Sequence, residues 1–560
     1  MNSSASLLSQ LYAIRNRFGK NLAAKKIRLL QALAKESSGN KTALHLYYDC
    51  LLFLLAYPDN KTVYDAASRC LLQQESRLRN KPAVKDRLFN SGISQTELCS
   101  SFSFELVKWF RTHHREQIRF DSFDADEGRI GSVLTVVLPR AESEIFQDGN
   151  ENWRSWLAQT SKPGEELLDR LLAIFSDADI SPFVRDELWA SLGLNTVICF
   201  ASCSRLPGTL TRIFYHRSLF KKNSIRVRQD IKPIQVNLTK EQAEQIIGCA
   251  RTILAQHLRE IDPITFTDWP NVSYYHLSRG ISIALMGMTP ERRSPIDCYM
   301  GYMVFKNGLP VAYAGSWILF NSSRIGLNIF PSYRGGESKY IFEQVLNLHR
   351  HVYRLHRFTV DPYQIGKDNS DGVHSGAFWI YYQAGFRPLK KEQHELATLE
   401  ARKIRTQPGY RSPASVLKKL ADSRMELLLG EKPVGFDATD ISRLFNEILK
   451  VHYNSGRKTA REHSFMRLAR LLQVKDWQQD TIRRLLNSWS VLLLSERKQV
   501  PLNNELKSVL KKMFALKCSG SEEEYIHLLQ QSNEVRIWME GLIGKYLPPV
   551  EPMSPLRSRS

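Results

Sequence analysis

The sequence predicts an α+β protein in which a region of β-strands lies between two mostly helical regions. Three observations predict this class. Apolar residues recur at helical spacing up to about residue 235. Between residues 236 and 395, short apolar runs rich in β-branched and aromatic residues alternate with turn signals. From residue 396 to 548 the helical spacing returns.

The chain length sets the expected number of domains. At 560 residues the chain exceeds what one hydrophobic core supports. We therefore expect a helical region over 1–235, a central domain over 236–395 and a second helical region over 396–548. The Pro-, Ser- and Arg-rich end, 549–560, is expected to be disordered.

Cysteine usage and hydropathy narrow the class of protein. The eight cysteines form no CxxC pair, and no Cys/His spacing is typical of zinc, so no metal site is predicted. No run approaches 18 apolar residues, and no transmembrane segment is expected. A reduced, cytoplasmic protein is the simple interpretation.

Individual segments carry local signals. "TALHLYYDCLLFLLAY" (42–57) and "GEELLDRLLAIFSDA" (164–178) have helical spacing, whereas "GSVLTVVLPR" (131–140) is interpreted as a strand. Thr239 and Gln242 predict a capping box at the start of a long helix. Asn307-Gly308, between two apolar runs, predicts a β-hairpin.

A glycine turn joins a predicted strand to a predicted helix. "RIGLNIF" (324–330) reads as the strand, and "SKYIFEQVLNLHRHVYRL" (338–355) reads as the helix. Arg334, Gly335, Gly336, Glu337 and Ser338 lie at the junction. The start of a helix exposes backbone N–H groups and the positive end of the helix dipole, so this junction suits an anion such as pyrophosphate. A tight turn that binds nothing explains the motif equally well.

The order of these elements resembles the GNAT-type acyltransferase superfamily, which transfers acyl groups from acyl-CoA. "FPSYRGG" (330–336) resembles the turn between strand four and helix three of that superfamily. "AFWIYYQAGFRPL" (377–389) resembles its last helix, with Ala377, Tyr381, Gly385 and Phe386 at matching positions. The resemblance covers roughly residues 235–390 and implies a mixed sheet with flanking helices.

The resemblance also implies roles for particular residues. Acetyl-CoA or another acyl-CoA would be the co-substrate, held by Ile329, Phe330, Arg334, Gly335, Gly336, Glu337 and Ser338. Tyr381 matches the tyrosine that acts as general acid in many members, and a packed helix tyrosine is the alternative. "RIGLNIF" lacks the carboxylate common on this strand, so Asn328 and His374 are the remaining candidate catalytic residues. Glu337 would stand near phosphates, which disfavours binding unless it points away or is paired with Arg334 or Lys339.

Net charge leaves the function open among three interpretations. The formal net charge is +21, and seven basic residues but no acidic residue precede Glu36. Such a charge suits an anionic partner, either nucleic acid or an anionic membrane surface, although a solvated basic surface is an equal alternative. The chain is therefore an acyltransferase with an unknown amine or hydroxyl acceptor, a non-catalytic binding protein of the same fold, or a transferase that uses an aminoacyl-tRNA donor.

Overall fold

The α+β class is confirmed by the computed structural model of the protein. The structure describes residues 4–35, 40–146, 152–220, 227, 231–430, 436–476, 479–493 and 503–547. A ten-stranded mixed sheet lies between N-terminal and C-terminal helical regions. The tail expected to be disordered, 549–560, lies outside the described residues. Within the described residues, no helix is both long and apolar enough to cross a membrane.

The chain begins with five helices that pack on the core of the central sheet. They are α1 (Ser4–Ile14), α2 (Lys20–Lys35), α3 (Lys41–Ala56), α4 (Lys61–Arg79) and α5 (Pro82–Arg87). Asn40 and Asn60 cap α3 and α4 by accepting a hydrogen bond from the backbone N–H three residues on. α3 is buried over most of its length, so its apolar run belongs to the main core.

Residues 97–200 form a second unit with a separate hydrophobic core. Its strands are β1 (Glu97–Ser101), β2 (Ile118–Phe123) and β3 (Leu194–Cys199), which form an antiparallel sheet in the order β1-β3-β2. Its helices are α6 (Phe104–His113), α7 (Glu127–Val137), α8 (Arg140–Ser143), α9 (Trp153–Thr160), α10 (Leu167–Asp177) and α11 (Pro182–Ser191).

The strand predicted over 131–140 is wrong, because this segment lies mostly in α7. Asp126 caps the helix, accepting a hydrogen bond from the Arg129 N–H. Ile130, Val133, Leu134 and Val137 recur at helical spacing and are buried in the second core. Tertiary burial of that face outweighs the β-propensity of the valines.

The central sheet has ten strands. They are β4 (Ile234–Val236), β5 (Val272–His276), β6 (Ile281–Met286), β7 (Cys298–Lys306), β8 (Leu309–Leu319), β9 (Ser322–Ile325), β10 (Asn328–Ile329), β11 (Arg357–Val360), β12 (Arg387–Pro388) and β13 (Met425–Leu428). Its helices are α12 (Lys240–Gln256), α13 (Asp262–Thr265), α14 (Ser338–Tyr353), α15 (Ser370–Ser375), α16 (Ala377–Gln383), α17 (Lys391–Thr406) and α18 (Ala414–Leu420). β13 lies after residue 395, so the central sheet extends past the boundary expected for the central domain.

Strand pairing and helix capping in this domain confirm two local predictions. The order is β12-β13-β11-β9-β8-β7-β6-β5-β4, and β10 pairs with β8. The β7–β8 hairpin turns at Asn307-Gly308, where both residues have positive φ angles of 49° and 82°. The capping box of Thr239 and Gln242 is present at the start of α12. Among the described strand pairs, β9 and β11 alone run parallel.

The C-terminal helices attach to the sheet through buried polar contacts. They are α19 (Ala438–Tyr453), α20 (Arg457–Leu471), α21 (Asp480–Leu493), α22 (Asn504–Ser519), α23 (Glu522–Gln531) and α24 (Asn533–Tyr546). Arg293 donates to the carbonyl oxygens of Leu516, Lys517 and Gly520 at the end of α22, at 2.9–3.1 Å. Lys517 and Glu522, both buried, form an ion pair at 2.7 Å beside β7.

Candidate functional site

The parallel strands β9 and β11 separate in the middle of the sheet. Their pairing runs from Arg357 opposite Ser322 to Thr359 opposite Arg324 and then stops. After Gly326 and Leu327 the chain continues as β10, which follows β8 instead, with Asn328 opposite Tyr313. The backbone of Gly326 and Leu327 therefore faces a gap that β11 does not fill.

The hydroxyl of Tyr381 lies at this gap beside the Leu327 N–H. The side chain belongs to α16 and is 1% exposed, and its ring packs against the rings of Phe342 and Phe386. Its hydroxyl oxygen makes no hydrogen bond of normal geometry with any described residue. Burial raises the pKa of Tyr381, and the neighbouring Leu327 N–H opposes that effect. A buried hydroxyl that makes no hydrogen bond of normal geometry is costly, and a ligand that supplied a partner would remove that cost.

Two hydrogen bonds hold the backbone of Gly326 in place beside Tyr381. Tyr302 on β7 donates a hydrogen bond to the Gly326 carbonyl oxygen. The Gly326 N–H donates to the Gly315 carbonyl oxygen at 3.3 Å. Among the described residues, no backbone carbonyl accepts from the Leu327 N–H. The Leu327 N–H and the protonated phenol of Tyr381 thus lie side by side at the gap, each the nearest polar neighbour of the other.

The glycine turn has an inner face that is closed by the N-terminal helices. A side-chain carbon at Gly336 would lie 2.6 Å from the ring of Tyr57, the residue that follows α3. The Glu337 N–H donates to the Tyr57 hydroxyl at 3.4 Å. Gly336 therefore makes room for a buried tyrosine of the protein itself.

The outer face of the turn is open. Gly335 is exposed and has a φ of 85°, a conformation that favours glycine. A side-chain carbon there would lie 3.7 Å from the Arg15 guanidinium and 3.8 Å from the Asn16 amide. α14 begins at Ser338 without a side-chain cap, so the N–H groups of its first turn lack a capping side chain. This face combines the uncapped start of a helix with a cation.

Glu337 points away from the open face into a buried network. Its carboxylate lies 2.5 Å from Arg279 and 2.9 Å from Lys306, and it accepts from the Phe220 N–H at 2.8 Å. Burial acts to raise the pKa of Glu337, but the two cations outweigh it and hold that pKa below its usual value. The repulsion expected between Glu337 and a phosphate is removed, through partners other than Arg334 and Lys339.

Lys306 and His216 complete the network from the hairpin and the N-terminal region. Burial lowers the pKa of Lys306 to about 8, against the attraction of Glu337. Burial lowers the pKa of His216 to about 3, and the charge of Lys306 adds to this effect. The Arg279 backbone has a positive φ of 61°, which aims its guanidinium at Glu337. The network fixes the turn to the β7–β8 hairpin.

The remaining predicted residues occupy different environments. Arg334 is exposed and forms a bidentate ion pair with Asp371 of α15, its two guanidinium nitrogens lying 2.7 and 3.0 Å from the two carboxylate oxygens. Ile329 pairs with Ala312, and the Phe330 ring stacks on His257 with centroids 4.6 Å apart. His374 is exposed, and its ring nitrogen contacts the Ser370 carbonyl oxygen at 2.7 Å. Asn328 is half-buried on β10.

The structure therefore brings together Leu327 and Tyr381 at the gap, and Gly335 and Ser338 at the open face of the turn. Sequence reasoning missed Tyr57, Tyr302 and the partners of Glu337. No local signal marks Tyr57 or Tyr302, since each contacts the site across a long separation in sequence. The sequence predicted the turn at Asn307 but not its side-chain contacts. The side-chain amide of Asn307 donates to the backbone carbonyl oxygens of Ala56 and Phe214.

No protein-family model, curated protein or solved structure matches the chain. In the part of the chain that the structure describes, no group of three or more His, Cys, Asp and Glu residues could hold a metal ion.

Proposed function

We propose that the central domain is an acyl-CoA-dependent acyltransferase of the GNAT type, acting on an amine or hydroxyl acceptor. The observation that carries this proposal is the gap between β9 and β11, where the Leu327 N–H and the buried Tyr381 hydroxyl lie side by side. Acyl transfer needs both groups. A donor must stabilise the oxyanion, and a proton must reach the leaving thiolate.

In the proposed reaction the acceptor nitrogen or oxygen bonds to the thioester carbonyl carbon, and the carbon–sulfur bond breaks. The Leu327 N–H donates to the carbonyl oxygen while that oxygen carries negative charge. Tyr381 gives its proton to the thiolate sulfur and regains one from solvent, and the acceptor releases its own proton to solvent. Burial keeps Tyr381 protonated at neutral pH, because it raises the pKa of the phenol.

The pyrophosphate of CoA would bind at the open face of the turn. The N–H groups of Gly335, Ser338 and Lys339 and the guanidinium of Arg15 would contact it there. Arg15 comes from the segment between α1 and α2, so the N-terminal helices would complete the site. The inner face, closed by Tyr57, would remain closed.

Binding of acetyl-CoA to the full chain tests this proposal, measured by calorimetry and by thermal shift. At about 100 times its dissociation constant the ligand should stabilise the protein by about 2.7 kcal/mol. Gly335→Glu should abolish binding, because a carboxylate would enter the open face. Gly335→Ala is the matched control, since it carries the same backbone strain without the charge. Equal binding by both variants would place the ligand elsewhere.

A non-catalytic anion-binding protein is the second candidate. The N-terminal segment presents five exposed cations, Arg17, Lys20, Lys25, Arg28 and Lys35. Lys26 does not belong to this surface, because it is buried and paired with Asp59 at 2.6 Å. Binding of RNA or anionic vesicles without turnover of any acyl-CoA would favour this function over acyl transfer.

A further inference from the structure

Two adjoining cavities lie where the C-terminal helices meet the segment that precedes β7. The smaller cavity has a volume of about 200 Å³ and the larger a volume of about 530 Å³. Pro295, Asn487 and Ser488 line both, so the two cavities meet at these residues. Together they are large enough for a small organic molecule, and they share no lining residue with the gap or the glycine turn.

Cations surround the smaller cavity. Arg293, Arg484 and Lys517 line it, and none of the described residues in its wall is acidic. Lys517 is paired with Glu522 at 2.7 Å. The side-chain hydrogen bonds of Arg293 and Arg484 to other described residues all go to neutral oxygens. The smaller cavity is therefore lined by two guanidinium groups that no described carboxylate pairs with.

Arg293 is held rigidly at this cavity. Its side chain is buried, and it donates to the Met288 carbonyl oxygen at 3.0 Å and to the side-chain oxygen of Asn271 at 2.8 Å. Three further donations go to the carbonyl oxygens at the end of α22. These dipoles fix the guanidinium but supply no counter-charge. Because a buried charge without a counter-ion is costly, an anion in the cavity would lower that cost.

Arg484 has donors to spare. It is half-buried on α21, and its hydrogen bond to the Pro290 carbonyl oxygen is long, at 3.5 Å. Its guanidinium lies 5.1 Å from the centroid of the Phe183 ring. Burial lowers the pKa of Arg484, and the charges of Asp480 and Glu291 oppose this effect without forming an ion pair within the described residues. A partly desolvated guanidinium gains more from an incoming anion than a fully hydrated one.

Neutral polar groups complete the wall of the smaller cavity. The side chains of Ser294, Thr481 and Ser488 line it and bring three hydroxyl groups. The side-chain oxygen of Asn487 is buried and has no hydrogen-bond partner among the described residues. Buried polar groups are nearly always hydrogen-bonded, and a ligand would supply the absent partner. Because no hydrogen bond fixes the amide, it can turn and donate an N–H to an anion.

The larger cavity suits an apolar body rather than an anion. Its apolar wall consists of Ile296, Ile441, Phe445, Leu449 and Val491. Asp297 also lines it, and the carboxylate would repel an anion there. Its two cations, Arg457 and Arg461, are exposed to solvent, so water screens their attraction for an anion. An anionic ligand with an apolar body would therefore place its charge in the smaller cavity and its body in the larger one.

We infer that the two cavities bind a phosphate monoester with an apolar body. The phosphate has three terminal oxygens, which can meet guanidinium, hydroxyl and amide donors that come from different directions, whereas a carboxylate has only two. The ligand would contact α21 and the segment before β7 together, so it would strengthen the attachment of the C-terminal helices to the sheet. This inference does not rest on the proposed acyltransferase function.

Ligand-observed NMR titration of the full chain tests the inference, with phenyl phosphate as the probe and no acyl-CoA present. Phenol, which lacks the anion, and inorganic phosphate, which lacks the body, are the matched control ligands. We expect phenyl phosphate to bind about tenfold more tightly than either control. Equal affinity for phenyl phosphate and phenol would overturn the anion site, and equal affinity for phenyl phosphate and inorganic phosphate would overturn the role of the larger cavity.

Variants locate the phosphate. Arg484→Gln should weaken phenyl phosphate about tenfold and leave phenol unchanged. Arg461→Gln, at the larger cavity, is the matched control and should change neither. Weaker binding in Arg461→Gln alone would place the phosphate at the opposite end and contradict the assignment. Arg484→Gln should leave the Tm of the free protein unchanged, because no described ion pair depends on Arg484. A lower Tm with unchanged affinity would show that Arg484 is structural and would also contradict the assignment.

A phosphate ester also fits the glycine turn, so the two sites are separated by variants of each. Gly335→Glu should abolish acetyl-CoA binding and leave the affinity for phenyl phosphate unchanged, and Arg484→Gln should do the reverse. Loss of phenyl phosphate binding in Gly335→Glu would place this ligand at the turn and overturn the inference. Phenyl phosphate binding that depends on Arg484 would support the inference even if acetyl-CoA did not bind at all.

Discussion

Removing the hydroxyl of Tyr381 separates a catalytic role from a structural one. Tyr381→Phe retains the ring and its contacts with Phe342 and Phe386. Because the hydroxyl makes no hydrogen bond of normal geometry and has only the Leu327 N–H beside it, its removal should change the stability of the folded protein little. Tyr302→Phe is the matched control on the same side of the sheet, since its hydroxyl donates to the Gly326 carbonyl oxygen.

The expected magnitudes follow from these two environments. An unsatisfied buried polar group costs about 1–3 kcal/mol, so Tyr381→Phe should leave stability unchanged or raise it by up to about 1 kcal/mol. Tyr302→Phe should lower stability by about 1–2 kcal/mol, because it leaves a buried carbonyl unpaired. Turnover should fall about 10²–10⁴-fold in Tyr381→Phe, the usual contribution of general acid catalysis.

Thermal unfolding with and without saturating acetyl-CoA measures the stability of both variants. A change of 1 kcal/mol corresponds to about 2–4 °C for a domain of 150–250 residues. Acetyl-CoA turnover is then followed by release of the free thiol in the presence of a panel of amines. A Tyr381→Phe protein that loses several degrees in Tm would show that the hydroxyl has a structural partner. Full turnover in a stable variant would refute its role as the acid.

Four further predictions concern the turn, the buried charges and the basic surface. Gly336→Ala should lower the free energy of unfolding by about 1–3 kcal/mol in chemical denaturation, because the new carbon overlaps the ring of Tyr57. Gly335→Ala should lower it by about 1 kcal/mol through backbone strain alone, because the new carbon meets no close atom. Equal losses in the two variants would contradict this packing. Glu337→Gln should cost about 3–5 kcal/mol, because it leaves a buried lysine without its counter-charge, and a loss below 1 kcal/mol would argue against the network. Burial lowers the pKa of His349 to about 4, so the unfolded state binds a proton below pH 6.5 and the folded state does not. Stability is therefore lost as the pH falls from 6.5 towards 4, by about 2 kcal/mol at pH 5 for this histidine, and His349→Phe should show a shallower fall of Tm over that range. Replacing the exposed cations of residues 17–35 by glutamine should flatten the salt dependence of RNA binding, and an unchanged slope would move the RNA to another surface.

Several parts of the structure were determined by local sequence. The hairpin at Asn307-Gly308, the capping box of Thr239 and Gln242, and the strand–turn–helix around Gly335 all depend on residues within a few positions of one another. Turn geometry, capping hydrogen bonds and apolar periodicity act over that distance, so the sequence alone predicts them. The α+β class follows from the same signals summed along the chain.

Tertiary structure alone decided how the site is arranged. Glu337 meets Arg279 and Lys306 from other strands and turns, and Tyr57 reaches Gly336 from a separate helix. Segment 131–140 became a helix because its apolar face found a core to cover.

The same distinction explains the gap and the row of glycines that crosses β7, β8 and the segment after β9. Nothing in the sequence shows that Gly301, Gly315 and Gly326 lie in one row, because strand register is set by pairing between segments and not within them. The sequence determined which groups are present, namely a tyrosine on a helix and glycines on strands. Their meeting depends on contacts between distant segments, which exist only once the chain has folded and buried its apolar surface.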